Sequence, residues 1–402
     1  MATRRYALYI AAYFLMAIAA SSAGVAMSFG VLAATGSTSL LSVNLALYFL
    51  PALLSPLSGG TVDRYGTRPV LGISILSRVI LLAIFAVVVS CWKSTASVIA
   101  LMAITLLVGI LKLPTSPAMR KIFSEILPSE LYVKGNAHLS IAGQTGAAIS
   151  FLVVGVVIDH LNVTMVLATA SALFMVVGIL TWPLPNVLNK TKTIRPRSYI
   201  TFDIAGYSAI KRSAVLTSST GFVIVTMMSF TPAEAVLPEQ MEKLGYGASG
   251  FTHFLLAYSL GVLCGGFFIG RYDAEDHIRK ILPAAGAVLV LSLTALAIDA
   301  GLWVLLFTGA LVGSSCAVFD SVSMARVHLH ASKEVQGRVF AALQGIESFS
   351  RACLLGVIAV VTALGVGSLL WLAIAVGVSV LAILATKATK RQPRVGEALE
   401  AA

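Results

Sequence analysis

Charged residues are scarce in this chain. Asp, Glu, Lys and Arg make up 11% of its 402 residues, whereas hydrophobic residues make up 58%. A soluble protein has about 25% charged residues, so this chain has too few charges to cover a water-facing surface. Its mean hydropathy is +0.93. The composition therefore predicts a polytopic membrane protein, most of whose surface contacts lipid.

Cysteine is rare as well. The four cysteines, Cys91, Cys264, Cys316 and Cys353, stand singly in or near apolar segments. This spacing predicts neither a metal site nor a disulfide framework, and we interpret all four as small buried hydrophobic residues. The sequence also lacks the GxxxxGKS/T motif of nucleotide-hydrolysing proteins. We therefore expect no cofactor and no enzymatic activity, and an ion gradient or the substrate's own gradient has to supply the energy for transport.

Twelve apolar stretches are long enough to cross a bilayer, whose hydrocarbon core takes about 20 residues of helix. Backbone groups left unpaired in lipid are too costly for irregular structure, so we predict an all-α membrane fold. The predicted spans are residues 6–30, 40–60, 69–92, 97–118, 137–158, 163–185, 214–237, 250–270, 281–299, 302–325, 338–363 and 366–386. A basic segment divides them into two groups of six. The predicted organisation is an N-terminal bundle (1–185), a cytoplasmic connector (186–212), a C-terminal bundle (213–390) and a cytoplasmic tail (391–402).

Lysine and arginine predict the orientation, since cytoplasmic loops carry an excess of both. With the N-terminus in the cytoplasm, 23 of the 28 fall in cytoplasmic segments and two, Lys93 and Lys243, fall outside. We therefore expect a protein of the inner membrane with both termini in the cytoplasm. The net charge of +11 then reflects contact with anionic membrane lipids and not with nucleic acid.

The two groups of spans share a short repeat. The sequence GGTVDRY (59–65) follows the second span and GFFIGRY (266–272) follows the eighth, at an offset of 207 residues. Two parallel halves of this kind are a transporter architecture, with the substrate site near the middle of the membrane between them.

The loop after the second span resembles the best-known motif of the major facilitator superfamily, which is Gly, three residues, Asp, a basic residue, any residue, Gly and then basic residues. Here the matching residues are Gly59, Asp63, Arg64, Gly66 and Arg68, and Thr67 replaces one basic residue. The second half keeps Arg271 but has Gly270 where Asp would stand. Segments 111–140 and 237–271 are similar to the drug-efflux branch that includes macrolide exporters and the enterobactin exporter.

This resemblance implies two six-helix bundles that move a substrate by alternating access. It also implies that Asp63 contacts the start of the eleventh span, near 337–340, when the cytoplasmic side is closed, because a carboxylate stabilises a helix N-terminus. Gly66 permits a turn with positive φ, and Arg64 and Arg68 contact the inner membrane face. The alternative is an ordinary charged loop.

Ionisable residues inside spans are costly in lipid and are therefore candidates for the substrate or proton-coupling site. The candidates, with one amide, are Arg78, Lys112, Glu234, Asp320, Gln344, Glu347 and Arg351. Glu347 and Arg351 are four residues apart on one helix face, so they can form a structural ion pair or a pair that changes partner during transport. Asp320 and Glu347 are the predicted proton carriers, because burial favours a neutral carboxylic acid. Lys112 either extends to the cytoplasmic surface or enters the site, and Glu234 either faces outer water or joins the site.

The first span contains no acidic residue, while three cations lie within the other spans. This balance favours a negatively charged substrate over a cationic drug. The leading hypothesis is a monomeric, proton-coupled exporter of a small amphipathic molecule, drug-like or siderophore-like. One alternative is an importer of an anionic nutrient such as a ferric siderophore, because superfamily members of both directions exist. A more distant alternative is a membrane sensor without transport.

Overall fold

The computed structural model describes residues 2–54, 61–62, 64–91, 95–128, 131–187, 205–269, 275–296, 301–331, 336–365, 371, 373–381 and 383. In this part of the chain the regular structure is helical, as the composition predicts. Gly59, Asp63 and Arg271, predicted to act in conformational gating, lie outside the described residues.

The described part of the first half contains seven α-helices. They are α1 (Ala2–Thr35), α2 (Thr38–Phe49), α3 (Thr67–Cys91), α4 (Thr95–Leu111), α5 (Thr115–Ile126), α6 (Tyr132–His160) and α7 (Val163–Thr181). A short 3-10 helix, Leu50–Leu54, follows α2 directly. Side-chain caps fix two of the starts: Ser37 accepts a hydrogen bond from the Leu40 amide at 3.3 Å, and Asn162 accepts one from the Met165 amide at 2.8 Å.

The second half contributes six described helices. They are α8 (Ala205–Arg212), α9 (Ala214–Lys243), α10 (Gly247–Ile269), α11 (Glu275–Leu296), α12 (Leu302–His330) and α13 (Gln336–Ala363). The predicted twelfth span, residues 366–386, lies largely outside the described residues.

By length and composition, nine helical stretches of the described chain suit a membrane span. Two shorter apolar stretches, Thr38–Leu54 and Ile281–Leu296, coincide with the predicted second and ninth spans. The all-α membrane fold predicted from the sequence is confirmed.

The fourth predicted span, residues 97–118, differs from the expected continuous helix. It consists of α4 and α5, separated by a turn at 112–114. Pro114 explains the break, because proline has no amide hydrogen and disfavours helical geometry in the residue before it. In transporters such discontinuous helices often lie at the binding site.

The last part of the predicted connector is the helix α8, which packs against α13 and α9. Its Ile210 joins a small hydrophobic cluster with Leu216, Val339 and Leu343. Residues 205–212 are therefore anchored to the C-terminal half.

The motif loop is partly described. Gly66 has φ +85°, a left-handed conformation that favours glycine. Arg64 is exposed, and Arg68 donates a hydrogen bond to the Leu184 carbonyl oxygen at 3.2 Å. The start of α3 is thereby tied to the segment after α7.

Candidate substrate site

A cavity of about 290 Å³ lies between the two halves. Helices α1, α2, α3, α4, α6 and α7 of the first half line it, together with α9 and α10 of the second. The wall is mostly apolar and aromatic, with a few polar and charged groups. This composition is usual for a small-molecule site.

Lys112 enters this cavity from the turn between α4 and α5. Its Nζ lies 3.3 Å from the centroid of the Tyr48 ring and 5.1 Å from that of Phe49. An ammonium over an aromatic face is attracted by the negative charge of the ring centre. Of the two predicted alternatives for Lys112, extension to the cytoplasmic surface is therefore wrong for this conformation.

Arg78 forms the second cationic part of the wall. The residue is 7% exposed, and its guanidinium donates hydrogen bonds to the hydroxyls of Ser74, at 3.3 Å, and Thr115. It also lies 5.2 Å from the centroid of the Phe174 ring. Thr115 is the first residue of α5, so the break in the fourth span positions both Lys112 itself and a hydroxyl partner of Arg78.

Neither Arg78 nor Lys112 forms an ion pair with any carboxylate that the structure describes. Their contacts are hydroxyls and ring faces. A buried cation without a counter-charge is costly. The cavity wall therefore carries positive charge that the described protein leaves uncompensated.

Arg351 lies behind the cavity and pairs with Glu234, which lines it. The sequence offered Glu347 as the partner one turn earlier on the same helix, but the ion pair of Arg351 joins α13 to α9 instead. The Arg351 guanidinium also lies 3.8 Å from the ring centroid of Phe49, in the first half. Glu234 belongs to the cavity, so its assignment to outer water alone is wrong.

Asn44 provides an unused acceptor in the same wall. Its side-chain oxygen is buried and has no hydrogen-bond partner. Buried polar atoms without partners are uncommon in native structures. A donor group on a bound molecule is one way to satisfy this atom.

The other candidates lie away from the cavity wall. Asp320 accepts a hydrogen bond at 3.0 Å from the hydroxyl of Thr226 in α9. Glu347 is partly buried on α13, and Gln344 is exposed. Their assignments to proton coupling or substrate binding remain predictions.

Sequence reasoning overlooked the aromatic residues Phe49 and Phe230. Phe230 lines the cavity and stacks on Tyr258 with the ring centroids 4.2 Å apart. Its spacing of four residues from Glu234 places both on one helix face, and that spacing was a signal available in the sequence.

One end of the interface between the halves is closed by hydrogen bonds. Both carboxylate oxygens of Asp159, at the end of α6, accept from the amides of Ala248 and Ser249, each at 2.8 Å, at the start of α10. Nearby, the Thr38 amide donates to Glu239 at 3.2 Å. The lysine and arginine distribution predicts that this end faces outward.

Close helix contact supports the same closure. A side-chain carbon added to Gly155 would lie 2.6 Å from the Cα atom of Ser249 and 2.8 Å from the carbonyl oxygen of Ala248. Only glycine fits this approach of α6 to α10. Sequence patterns do not indicate this contact, because its partners are about 90 residues apart.

Comparisons with known proteins agree with this architecture. The sequence model of the family described as Major Facilitator Superfamily matches residues 9–271 of this chain. No match was found among curated proteins.

Several solved structures share the fold at low sequence identity. A nucleoside transporter, NupG, is 16% identical with a TM-score of 0.70, over 97% of this chain and 100% of that one. A POT family transporter in complex with 5-aminolevulinic acid is 12% identical with a TM-score of 0.72, over 95% of each chain. The human organic anion transporter MFSD10 (TETRAN) is 18% identical with a TM-score of 0.64, over 96% of this chain and 99% of that one.

Proposed function

Because this chain belongs to the major facilitator superfamily, we propose that it transports a small amphipathic organic anion across the membrane by alternating access. The observation that carries the proposal is the pair of cations in the cavity wall, the buried Arg78 and the partly buried Lys112, neither with a described carboxylate partner. A bound anion supplies the missing counter-charge. The surrounding rings contact its apolar part, and Asn44 accepts a hydrogen bond from it.

The cavity volume narrows the substrate class. At about 290 Å³ it lies at the small end of ligand sites, which range over about 300–1,000 Å³. This volume favours a small carboxylate or similar anion over a ferric siderophore in this conformation. It does not distinguish export from import.

The Glu234–Arg351 pair suggests how a bound anion changes the contacts at the site. A substrate carboxylate that approaches Arg351 competes with Glu234 for the guanidinium. In the leading version of the proposal, proton-coupled export, Asp320 and Glu347 carry the protons in the second half.

The first experiment compares ligands of opposite charge on the same skeleton. Purified protein in detergent is titrated by calorimetry with aromatic and aliphatic carboxylates and with the matching amines. We expect carboxylates to bind and the amines to fail, because two uncompensated cations line the cavity. Equal binding of both series, or binding of the amines alone, would overturn the anion proposal.

The second prediction concerns proton coupling. In inside-out vesicles, Asp320→Asn or Glu347→Gln is expected to abolish the response of anion uptake to an imposed pH gradient, because the amide cannot take up a proton. Exchange of labelled for unlabelled anion should continue. Glu125→Gln is the matched control, since Glu125 is an exposed carboxylate on α5. If both interior variants keep the wild-type pH response, neither residue carries the coupled proton.

Import of an anionic nutrient is the second candidate function, and the cationic cavity supports it equally. Uptake measurements in whole cells distinguish import from export. Cells that produce the protein accumulate the identified anion if it is an importer, and they exclude it if it is an exporter.

A further inference from the structure

A second cavity lies on the lipid-facing surface of the first half, between α3 and α7. It is an apolar groove of about 410 Å³, lined by residues that include Gly72, Leu76, Met175, Gly178, Ile179 and Trp182. Leu76 is 57% exposed, Ile179 67% and Trp182 65%. Because both helices are membrane spans, these apolar side chains face lipid.

Gly72 leaves the groove open. A side-chain carbon built on this residue would have no neighbouring atom within 4 Å. The groove beside Gly72 is therefore open space. A larger side chain at this position can fill the groove without displacing α3 or α7.

A cationic platform closes one end of the groove. Arg68 lies one helical turn before Gly72, donates to the Leu184 carbonyl oxygen at 3.2 Å, and has its guanidinium carbon 5.5 Å from the centroid of the Trp182 ring. The neighbouring Thr67 hydroxyl donates to the Pro185 carbonyl oxygen at 3.0 Å. Arg68 forms no ion pair with a described carboxylate. The platform is thus held rigidly and carries an unbalanced positive charge.

We propose that this groove binds one anionic phospholipid, with an acyl chain along Gly72, Leu76 and Ile179 and the headgroup phosphate against Arg68. The apolar side chains of the groove complement a lipid acyl chain, and the positive charge of Arg68 at its end complements an anionic headgroup. Tryptophan is enriched at the membrane interface because its ring is amphipathic, and Trp182 marks that depth here. By the lysine and arginine distribution, the lipid belongs to the inner leaflet. The proposal is independent of what the central cavity transports.

The test measures lipid retention by the full chain. The protein is first placed in nanodiscs that contain equal amounts of phosphatidylglycerol and phosphatidylcholine and is then transferred into detergent. Native mass spectrometry counts the lipids that remain bound to the protein. We expect wild-type protein to retain phosphatidylglycerol about fivefold over phosphatidylcholine, the order of effect of one arginine beside an anionic headgroup.

Three variants test separately how the lipid headgroup and the acyl chain contribute to retention. Arg68→Gln should remove the preference for phosphatidylglycerol, and Arg68→Lys should retain most of it. Gly72→Leu should reduce retention of both lipids, because leucine occupies the groove. Gly356→Leu is the matched control: its added side chain also meets nothing within 4 Å, and it lies on α13, outside the groove.

Two results would overturn the proposal. One is equal retention of the two lipids by the wild-type protein. The other is unchanged retention by Gly72→Leu relative to Gly356→Leu, with both variants monodisperse and equally heat-stable.

Discussion

Replacing Lys112 by methionine is expected to weaken binding of the anionic substrate by about 30-fold or more while leaving the empty protein at least as stable. Removing one partner of a desolvated charge pair costs about 2–5 kcal/mol of binding free energy, which corresponds to a loss in affinity of about 30-fold or more. The stability of the empty protein should not fall, because the mutation removes a partly buried cation that has no described carboxylate partner. Methionine keeps an unbranched chain that packs against Tyr48 and Phe49.

Titration calorimetry with the best carboxylate ligand and thermal unfolding without ligand together test this prediction. Lys112→Arg serves as the control, since it retains the charge and the contact with the Tyr48 ring. Undiminished anion binding by Lys112→Met contradicts the assignment. A fall in the stability of the empty protein would also contradict it, because it would show that the ammonium is a structural group.

Replacing Asp159 by alanine is expected to open the end of the interface that Asp159 now closes. The change removes two charge-assisted hydrogen bonds to the first turn of α10 and the attraction of a carboxylate to a helix N-terminus. Asp159 is exposed, so solvent screens these contacts and each contributes on the order of 1 kcal/mol. A shift of roughly tenfold or more in the ratio of open to closed molecules follows from the loss of both.

Distances between spin labels measure this shift. Cysteines are placed at Leu161 and Leu244, two exposed positions beside the closed end, in a background without the four native cysteines. We expect one short distance for the parent protein and an additional longer distance for Asp159→Ala. His160→Ala is the control, because His160 is the exposed neighbour of Asp159. Identical distance distributions in Asp159→Ala and the parent would refute the closing role.

The cavity residues illustrate how far sequence reasoning reaches. The cost of charge in lipid identified Arg78, Lys112, Glu234 and Arg351 as candidates without any structure. Three of these residues line the cavity, and the fourth pairs with Glu234. The sequence suggested Glu347 as a partner of Arg351, because an i,i+4 rule considers only one helix; the structure pairs Arg351 with Glu234 of the neighbouring α9.

The sequence by itself determined the class of protein, the approximate positions of the spans that the structure describes and the family motif in the loop before α3. These properties depend on local composition and spacing, which lipid enforces segment by segment. Only the tertiary structure decided that Lys112 points into the cavity, that Arg351 pairs with Glu234, and that Asp159 caps α10. Each of these contacts joins helices distant in sequence, and their relative placement is set by packing that no single segment encodes.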